Sequence, residues 1–311
     1  MAGFPTRTTD GFVRRWRPDW PVDLATTLGP LQRGFSDPTV RIGPDGVWRA
    51  TRGPDGPATI HCAREGDEVV ASAWGPGAAR ELEDLPRVLG CGDDPRGFRA
   101  GSHPVMAEAF GRYGSGWRVP RTGRVLEALV PAILEQRVTG REARRAWSTL
   151  ARRFGEQAPG PVRGLVVPPD GPGWSRIPSW AWHSAGVDPG RARTIRAAAA
   201  RADALELLTA RPATEAVRAL QSLPGIGQWT AAEVAVRAWG HPDAVSFGDF
   251  HLAGFVVHAL SGRRGGTDEQ MAELLQAWSG QRARAIRMLE LHCAPMPRHG
   301  PRAAIPDHRR R

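Results

Sequence analysis

The chain predicts an α+β protein, with an N-terminal antiparallel β-sheet and flanking helices followed by an all-helical domain. Two observations carry that prediction. Between Pro38 and Trp74 the apolar residues alternate in short runs broken by turn signals, and after about residue 97 they recur at helical spacing instead. With 311 residues, 41% of them hydrophobic and 24% charged, the chain has room for two domains.

The strands come first. Thr39–Ile42, Val47–Thr51, Ala58–Arg64 and Glu68–Trp74 are β-branched or alternating. Between them stand Gly43-Pro44-Asp45-Gly46, Gly53-Pro54-Asp55-Gly56 and Glu65-Gly66-Asp67, which suit tight turns and predict a meander. A helix is expected from Gly77 to Leu89, and Gly90–Gly97 reads as a linker. Further helices are expected over Val125–Gln136 and Arg141–Phe154, with a Pro- and Gly-rich loop at Gln157–Ile177. Helices then resume over Pro189–Ala202, Thr214–Ser222, Trp229–Trp239, Phe250–Leu260, Asp268–Trp278 and Arg282–His292. The expected domains are 1–96 (α+β), 97–294 (helical) and a basic, flexible tail at 295–311.

Composition narrows the function. The formal net charge is +10, and every one of the 42 Lys/Arg positions is arginine. A basic balance favours polyanions, since phosphate contacts supply most non-specific affinity for nucleic acid. Cys62, Cys91 and Cys293 form no C-x-x-C pair, which excludes a four-cysteine zinc site and a cysteine-ligated iron–sulfur cluster, and an odd, scattered set fits a reducing compartment. His292, Cys293 and His299 match no familiar ligand spacing. The N-terminus lacks the apolar core of a secretory leader, and no apolar stretch has the length of a membrane span. A soluble, cytoplasmic, nucleoid-associated monomer is the expectation.

The most informative segment is Leu220–Ala231, LQSLPGIGQWTA. One helix ends near Ser222, Leu223-Pro224-Gly225-Ile226-Gly227 turns the chain, and a second helix starts at Gln228. Two glycines flanking one apolar residue permit backbone angles closed to other residues and leave amide N–H groups facing outward at a helix N-terminus, where a phosphate binds. Gly225, Ile226, Gly227, Gln228 and Thr230 are the expected DNA-binding residues of the turn, with the Ile226 side chain plugging it from inside. The bland reading is a tight turn between two helices.

This segment resembles the helix-hairpin-helix signature of the base-excision DNA glycosylases, and the chain looks most like the bacterial 3-methyladenine DNA glycosylase II (AlkA-type) subgroup. The resemblance extends to Ile133-Leu134-Glu135-Gln136-Arg137-Val138-Thr139 and to a β-rich region ahead of the helices. It implies a catalytic carboxylate about two dozen residues after the first hairpin glycine. Asp249, 24 residues after Gly225, fits, and Asp243 ranks second. Asp249 also suits a helix N-cap, which is compatible with catalysis. A carboxylate serves this chemistry because breaking an N-glycosidic bond builds positive charge on the sugar, which a nearby anion stabilises while orienting water.

The resemblance implies further roles. The carbonyls of Gln221, Leu223 and Ile226 would hold a monovalent cation, with no cofactor required. The turn at Gln136-Arg137 would supply the wedge that fills the space left by a flipped base, although Arg137 replaces the subgroup's aliphatic residue and equally suits solvent or phosphate. Trp229 is the pocket candidate, or an interior tryptophan; Glu233 and Gln281 stand where the subgroup has aromatics. His251 lines the site or packs beside it. Bifunctional relatives use a lysine at the position of Trp229, and this chain has none, so a side-chain amine cannot attack the sugar. The expectation is a monofunctional hydrolase acting on alkylated, N-methylated purines in double-stranded DNA and leaving an abasic site. The alternatives are a non-catalytic lesion-sensing DNA binder or a glycosylase for another lesion class.

Overall fold

The computed structural model describes residues 4–294. The expected tail, with His299, lies outside them.

A six-stranded antiparallel sheet forms from β1 (Thr6–Arg7), β2 (Phe12–Trp16), β3 (Val40–Gly43), β4 (Gly46–Gly53), β5 (Gly56–Glu65) and β6 (Glu68–Trp74), in the order β1-β2-β6-β5-β4-β3. The meander β3 to β6 follows the turn signals. Gly46, Gly56 and Gly66 have φ of 120°, 113° and 61°, the left-handed region that glycine enters without a Cβ penalty. Alternation fixes register: Ile60 faces Ala73 and Cys62 faces Ala71, all buried, while Trp48 and His61 face each other on the half-buried side. The helix Ala78–Val88 lays Leu82 and Leu85 on the buried face, closing a core with Trp16, Trp20, Leu24 and Leu28.

Strands β1 and β2 were not expected, because Phe-Val-Arg-Arg-Trp reads as a charged run. Arg14 in fact points inward. Its guanidinium donates to the Leu82 and Glu83 carbonyls at 2.6 and 3.0 Å, so the charge is spent on the helix packed against the sheet.

The remaining chain is helical around Val125–Leu134, whose residues are all buried except Glu127. Gly140–Phe154, Pro189–Ala199, Ala213–Gln221 and Gln228–Val234 pack about it. A second helical core joins Pro104–Tyr113, Leu252–Ser261, Asp268–Leu274 and Arg282–His292 through Met106, Val256, Met271 and Leu289. Among the described residues no helix is long and apolar enough to cross a membrane.

Three expectations need correction. The presumed loop Gln157–Ile177 contains a two-stranded pairing of Glu156–Gln157 with Val166–Val167 and a helix, Gly171–Arg176, capped by Asp170 through the Gly173 N–H at 2.6 Å. The presumed linker is pinned, for Asp93 accepts the Arg284 guanidinium at 2.5 Å and the Val119 N–H at 3.0 Å. The second hairpin helix does not run on uniformly to Trp239. It widens into a π-turn over Ala235–Trp239, and Thr122 and Gly123 donate their N–H groups to the Arg237 and Ala238 carbonyls at 2.9 Å.

Candidate active site

The hairpin folds as its residues dictate. Ala213–Gln221 ends at Ser222, the Ile226 N–H donates to the Leu223 carbonyl at 3.1 Å, and Gln228–Val234 begins after Gly227. Ile226 is the plug, only 4% exposed. The two glycines differ. At Gly225, φ is +85° and a Cβ would meet Thr194 Oγ1 at 2.4 Å, so the neighbouring helix forbids any side chain. Around Gly227 nothing lies within 4 Å of a Cβ position, which leaves open space in front of an exposed backbone.

The wedge candidate sits beside this turn. Leu134 ends the central helix, and Arg137 is exposed with φ +54°, the one non-glycine residue in the left-handed region among those described. Such a conformation is rare for a side-chain-bearing residue and requires support from its surroundings. Gln136 supplies it, its Nε2 donating to the Gly225 carbonyl at 2.9 Å and to Thr230 Oγ1 at 2.8 Å. Thr230, expected on the DNA face, is 2% exposed. Its hydroxyl meets Gln136 rather than solvent.

Asp249 is half-buried just ahead of the helix Leu252–Ser261. Its Oδ1 accepts the His251 and Leu252 N–H groups at 2.8 and 2.9 Å, and its Oδ2 accepts Trp229 Nε1 at 3.1 Å. The N-cap of that helix is His251, so the expected N-cap position of Asp249 is corrected: its carboxylate reaches the N–H groups at the helix start from two residues ahead of the cap. Neutral donors fix its position, and among the described residues no cation forms an ion pair with it. Phe250 beside it is 92% exposed and meets His251 edge to face at 4.8 Å. Asp243, the second candidate, is fully engaged. Arg282 donates to both its oxygens at 2.5 to 2.9 Å. Burial raises its pKa, but the Arg282 hydrogen bonds and charge outweigh that and hold it below the ordinary value.

Glu233 lies one helical turn beyond Trp229, on the same face. It is not a free acidic lip. Its carboxylate accepts Ser246 Oγ at 2.5 Å and Arg237 Nη1 at 2.7 Å. Burial opposes its charge, yet Arg237, Ser246 and Arg33 together hold it below the usual carboxylate range. Arg237 in turn donates to the Pro30 carbonyl at 3.1 Å, and Arg33 pairs with Glu135 at 3.2 Å. Ser246 belongs to the aspartate loop, where its carbonyl accepts the Asp249 N–H at 3.3 Å. Two struts from one helix face, Trp229 to Asp249 and Glu233 to Ser246, therefore hold that loop. Sequence reasoning missed Ser246, Arg237 and Arg33; Arg33 meets Glu135 and Arg237 meets Pro30 across long stretches of chain, whereas Arg237 sits at i,i+4 from Glu233, a spacing that could have found it.

Gln281 is placed elsewhere. Its Oε1 accepts Arg284 Nε at 2.6 Å at the start of the last helix, and none of its hydrogen bonds reaches Asp249 or Trp229. A cavity of about 700 Å³ is also remote from this chemistry. It is lined by Arg52, Asp84, Arg124, Glu127 and Glu206 near the N-terminal end of the central helix, whereas the wedge turn follows the other end. Its lining charges already have partners: Arg124 pairs with Asp84, Arg52 with Glu156 and Glu127 with Arg49, while Glu206 accepts the Val125 and Leu126 N–H groups.

Known structures show this arrangement of sheet, central helix and hairpin. A 3-methyladenine DNA-glycosylase from Archaeoglobus fulgidus superposes with a TM-score of 0.74 over 89% of this chain and 97% of its own, at 19% identity. The two chains share a fold. An 8-oxoguanine glycosylase/lyase from Clostridium acetobutylicum, solved with double-stranded DNA, shares that fold with a TM-score of 0.67 over 92% of this chain and 97% of its own, at 12% identity. In sequence, the chain is 31% identical over 177 residues to a probable bifunctional transcriptional activator/DNA repair enzyme AlkA of Mycobacterium tuberculosis, a match covering 53% of this chain. The chain spans about a third (34%) of the length of that curated relative. No family model matches it.

Proposed function

We propose that the protein is a monofunctional DNA glycosylase that flips an alkylated base, an N-methylated purine, out of duplex DNA and hydrolyses its glycosidic bond. The observation that carries this reading is the Asp249 carboxylate, fixed by three neutral N–H donors and forming no ion pair among the described residues. Such an anion keeps its charge available for the cationic sugar of the transition state, and its remaining lone pairs can orient the attacking water. A base alkylated on a ring nitrogen leaves as a neutral molecule without an acid catalyst. Trp229, held by its own hydrogen bond to Asp249, offers an aromatic face beside the reacting sugar. With no lysine in the chain, cleavage stops at the abasic site.

In this reading Arg137 is the wedge, and the backbone at Gly225, Gly227 and Gln228 grips a phosphate. The carbonyls of Gln221, Leu223 and Ile226 would hold a monovalent cation. Neutral oxygens suit such an ion, and the Leu223 carbonyl, already accepting the Ile226 N–H, retains a second lone pair. Residues 1–96 act as a bracing domain and 97–294 as the glycosylase domain, in a cytoplasmic monomer.

A second reading, a glycosylase for an uncharged lesion, is favoured by one observation. Glu233 is compensated by Arg237, so the pocket lip adds no net attraction for a cationic base. Incubating wild type with methylated duplex DNA and with duplex carrying 8-oxoguanine separates the two. Free 3-methyladenine or 7-methylguanine supports the first reading, and release of 8-oxoguanine alone replaces it with the second. No release from either, with DNA binding intact, leaves a lesion-sensing binder.

A further inference from the structure

The helix that follows the wedge turn, Gly140–Phe154, carries five arginines and a single acid, Glu142, which is committed to the capping box with Thr139. At 100° per residue, Arg141, Arg144, Arg145, Ser148 and Arg152 fall within an arc of about 100°. The opposite face, Ala143, Ala146, Trp147 and Leu150, is buried in the core. All four arginines of the stripe are exposed, and none takes part in an ion pair among the described residues. Elsewhere the exposed Arg15, Arg17 and Arg96 each hold a carboxylate.

Stability does not explain the stripe. Arg141 and Arg145 repel each other at i,i+4, and Arg141 in the first turn opposes the helix dipole, which favours anions there; of the stripe only Arg152, in the last turn, suits it. Some of these side chains are also braced. Arg144 abuts Gly34, and Arg152 reaches the Ser36 and Gly164 carbonyls. Phe35, wholly exposed, projects from that same loop.

We infer that this arginine face is a second DNA-binding surface, which tracks the phosphates of the duplex to one side of the lesion. Resting on the DNA reading above, it adds a direction. From Arg141 to Arg152 the helix rises about 16 Å, roughly five base steps at 3.4 Å per phosphate along the duplex axis. The stripe starts at Arg141, four residues after the Arg137 turn, so it lengthens the footprint on the wedge side only. It meets the backbone through charge and reads no base edges.

The test measures binding of wild type and of the Arg141→Gln/Arg145→Gln/Arg152→Gln variant to duplexes of about 20 base pairs, two helical turns, bearing an uncleavable abasic-site analogue. The analogue is placed at the centre, near one end, or near the other. Glutamine keeps helix propensity, so an unchanged melting curve serves as the folding control. Wild type should bind the centred duplex and one end-placed duplex alike and lose about 10-fold or more on the other, whereas the variant should bind all three alike and weakly. Its salt slope should fall by about three, one per lost phosphate contact. Equal affinity and slope in the two proteins would overturn the stripe while leaving the glycosylase reading intact. Wild type that binds no duplex would overturn both. A variant that keeps DNA but loses polyglutamate would reassign the face to an acidic protein partner.

Discussion

The loop after the hairpin carries two aspartates six residues apart, and their surroundings are opposites. Asp243 gives both oxygens to the Arg282 side chain and backbone, closing an ion pair that fastens the loop to the last helix. Asp249 is held by the N–H groups of His251, Leu252 and Trp229, which orient it without cancelling its charge. One carboxylate is spent on structure and the other is left with its field intact. Residue type, partial burial and loop position do not separate them. What separates them is whether the partners are charged or neutral.

The comparison can be broken most sharply by exchanging each aspartate for asparagine. Asp249→Asn should lower single-turnover base release by about 100-fold or more, with DNA binding and melting temperature retained, because asparagine also caps a helix. Asp243→Asn should do the reverse. It should cost about 1–3 kcal/mol in denaturant unfolding by stranding a partly buried Arg282, with little change in the rate per folded molecule. Equal rates for wild type and Asp249→Asn would end the catalytic assignment.

Next in size is the strut from Glu233. Ser246→Ala should reduce single-turnover release by about 10-fold, roughly one hydrogen bond's worth of positioning, with affinity for abasic-site DNA unchanged. A parallel loss of affinity would mark the contact as general scaffolding. Glu233→Gln retains a hydrogen-bonding group while removing the charge, so it tells whether Ser246 needs the anion or only an acceptor. The sign of the pH effect follows from the depressed pKa of Glu233. Its stabilising contribution is present above its ordinary value of 4.5 and lost as pH falls through the lower folded value. Wild type should accordingly lose more stability than Glu233→Gln on acidification below 4.5. The smallest effect is expected from Trp229→Phe, which keeps the ring and removes one donor, a loss of a few-fold at most in rate.

Local features were legible in the sequence. The hairpin is a short segment whose glycines and plug do their work within a dozen residues, and the meander is written in its turn residues. Asp249 came from its spacing to Gly225 in a resembling family, and the structure sets it beside Trp229. What could not be read is whatever depends on a distant partner. The Glu233–Arg237 pair is local, at i,i+4, and went unread; but Arg237 meets Pro30 across 207 residues and Arg33 meets Glu135 across 102, so the anchoring of that pair and the bracing of the wedge turn leave no local trace. Strand β2 was hidden for a related reason, since Arg14 looks solvent-bound until the helix whose carbonyls it serves is in place.

The unequal crowding of the two hairpin glycines bears on how such a gene can drift. Gly225 is held by Thr194 of its own fold, so selection for folding alone would keep it, even in a descendant that had stopped touching DNA. Gly227 has nothing in front of it, so only an occupant arriving from outside penalises a side chain there. Among descendants of this chain, replacement at the second glycine alone would therefore mark lineages in which the grip on DNA had been given up while the fold survived.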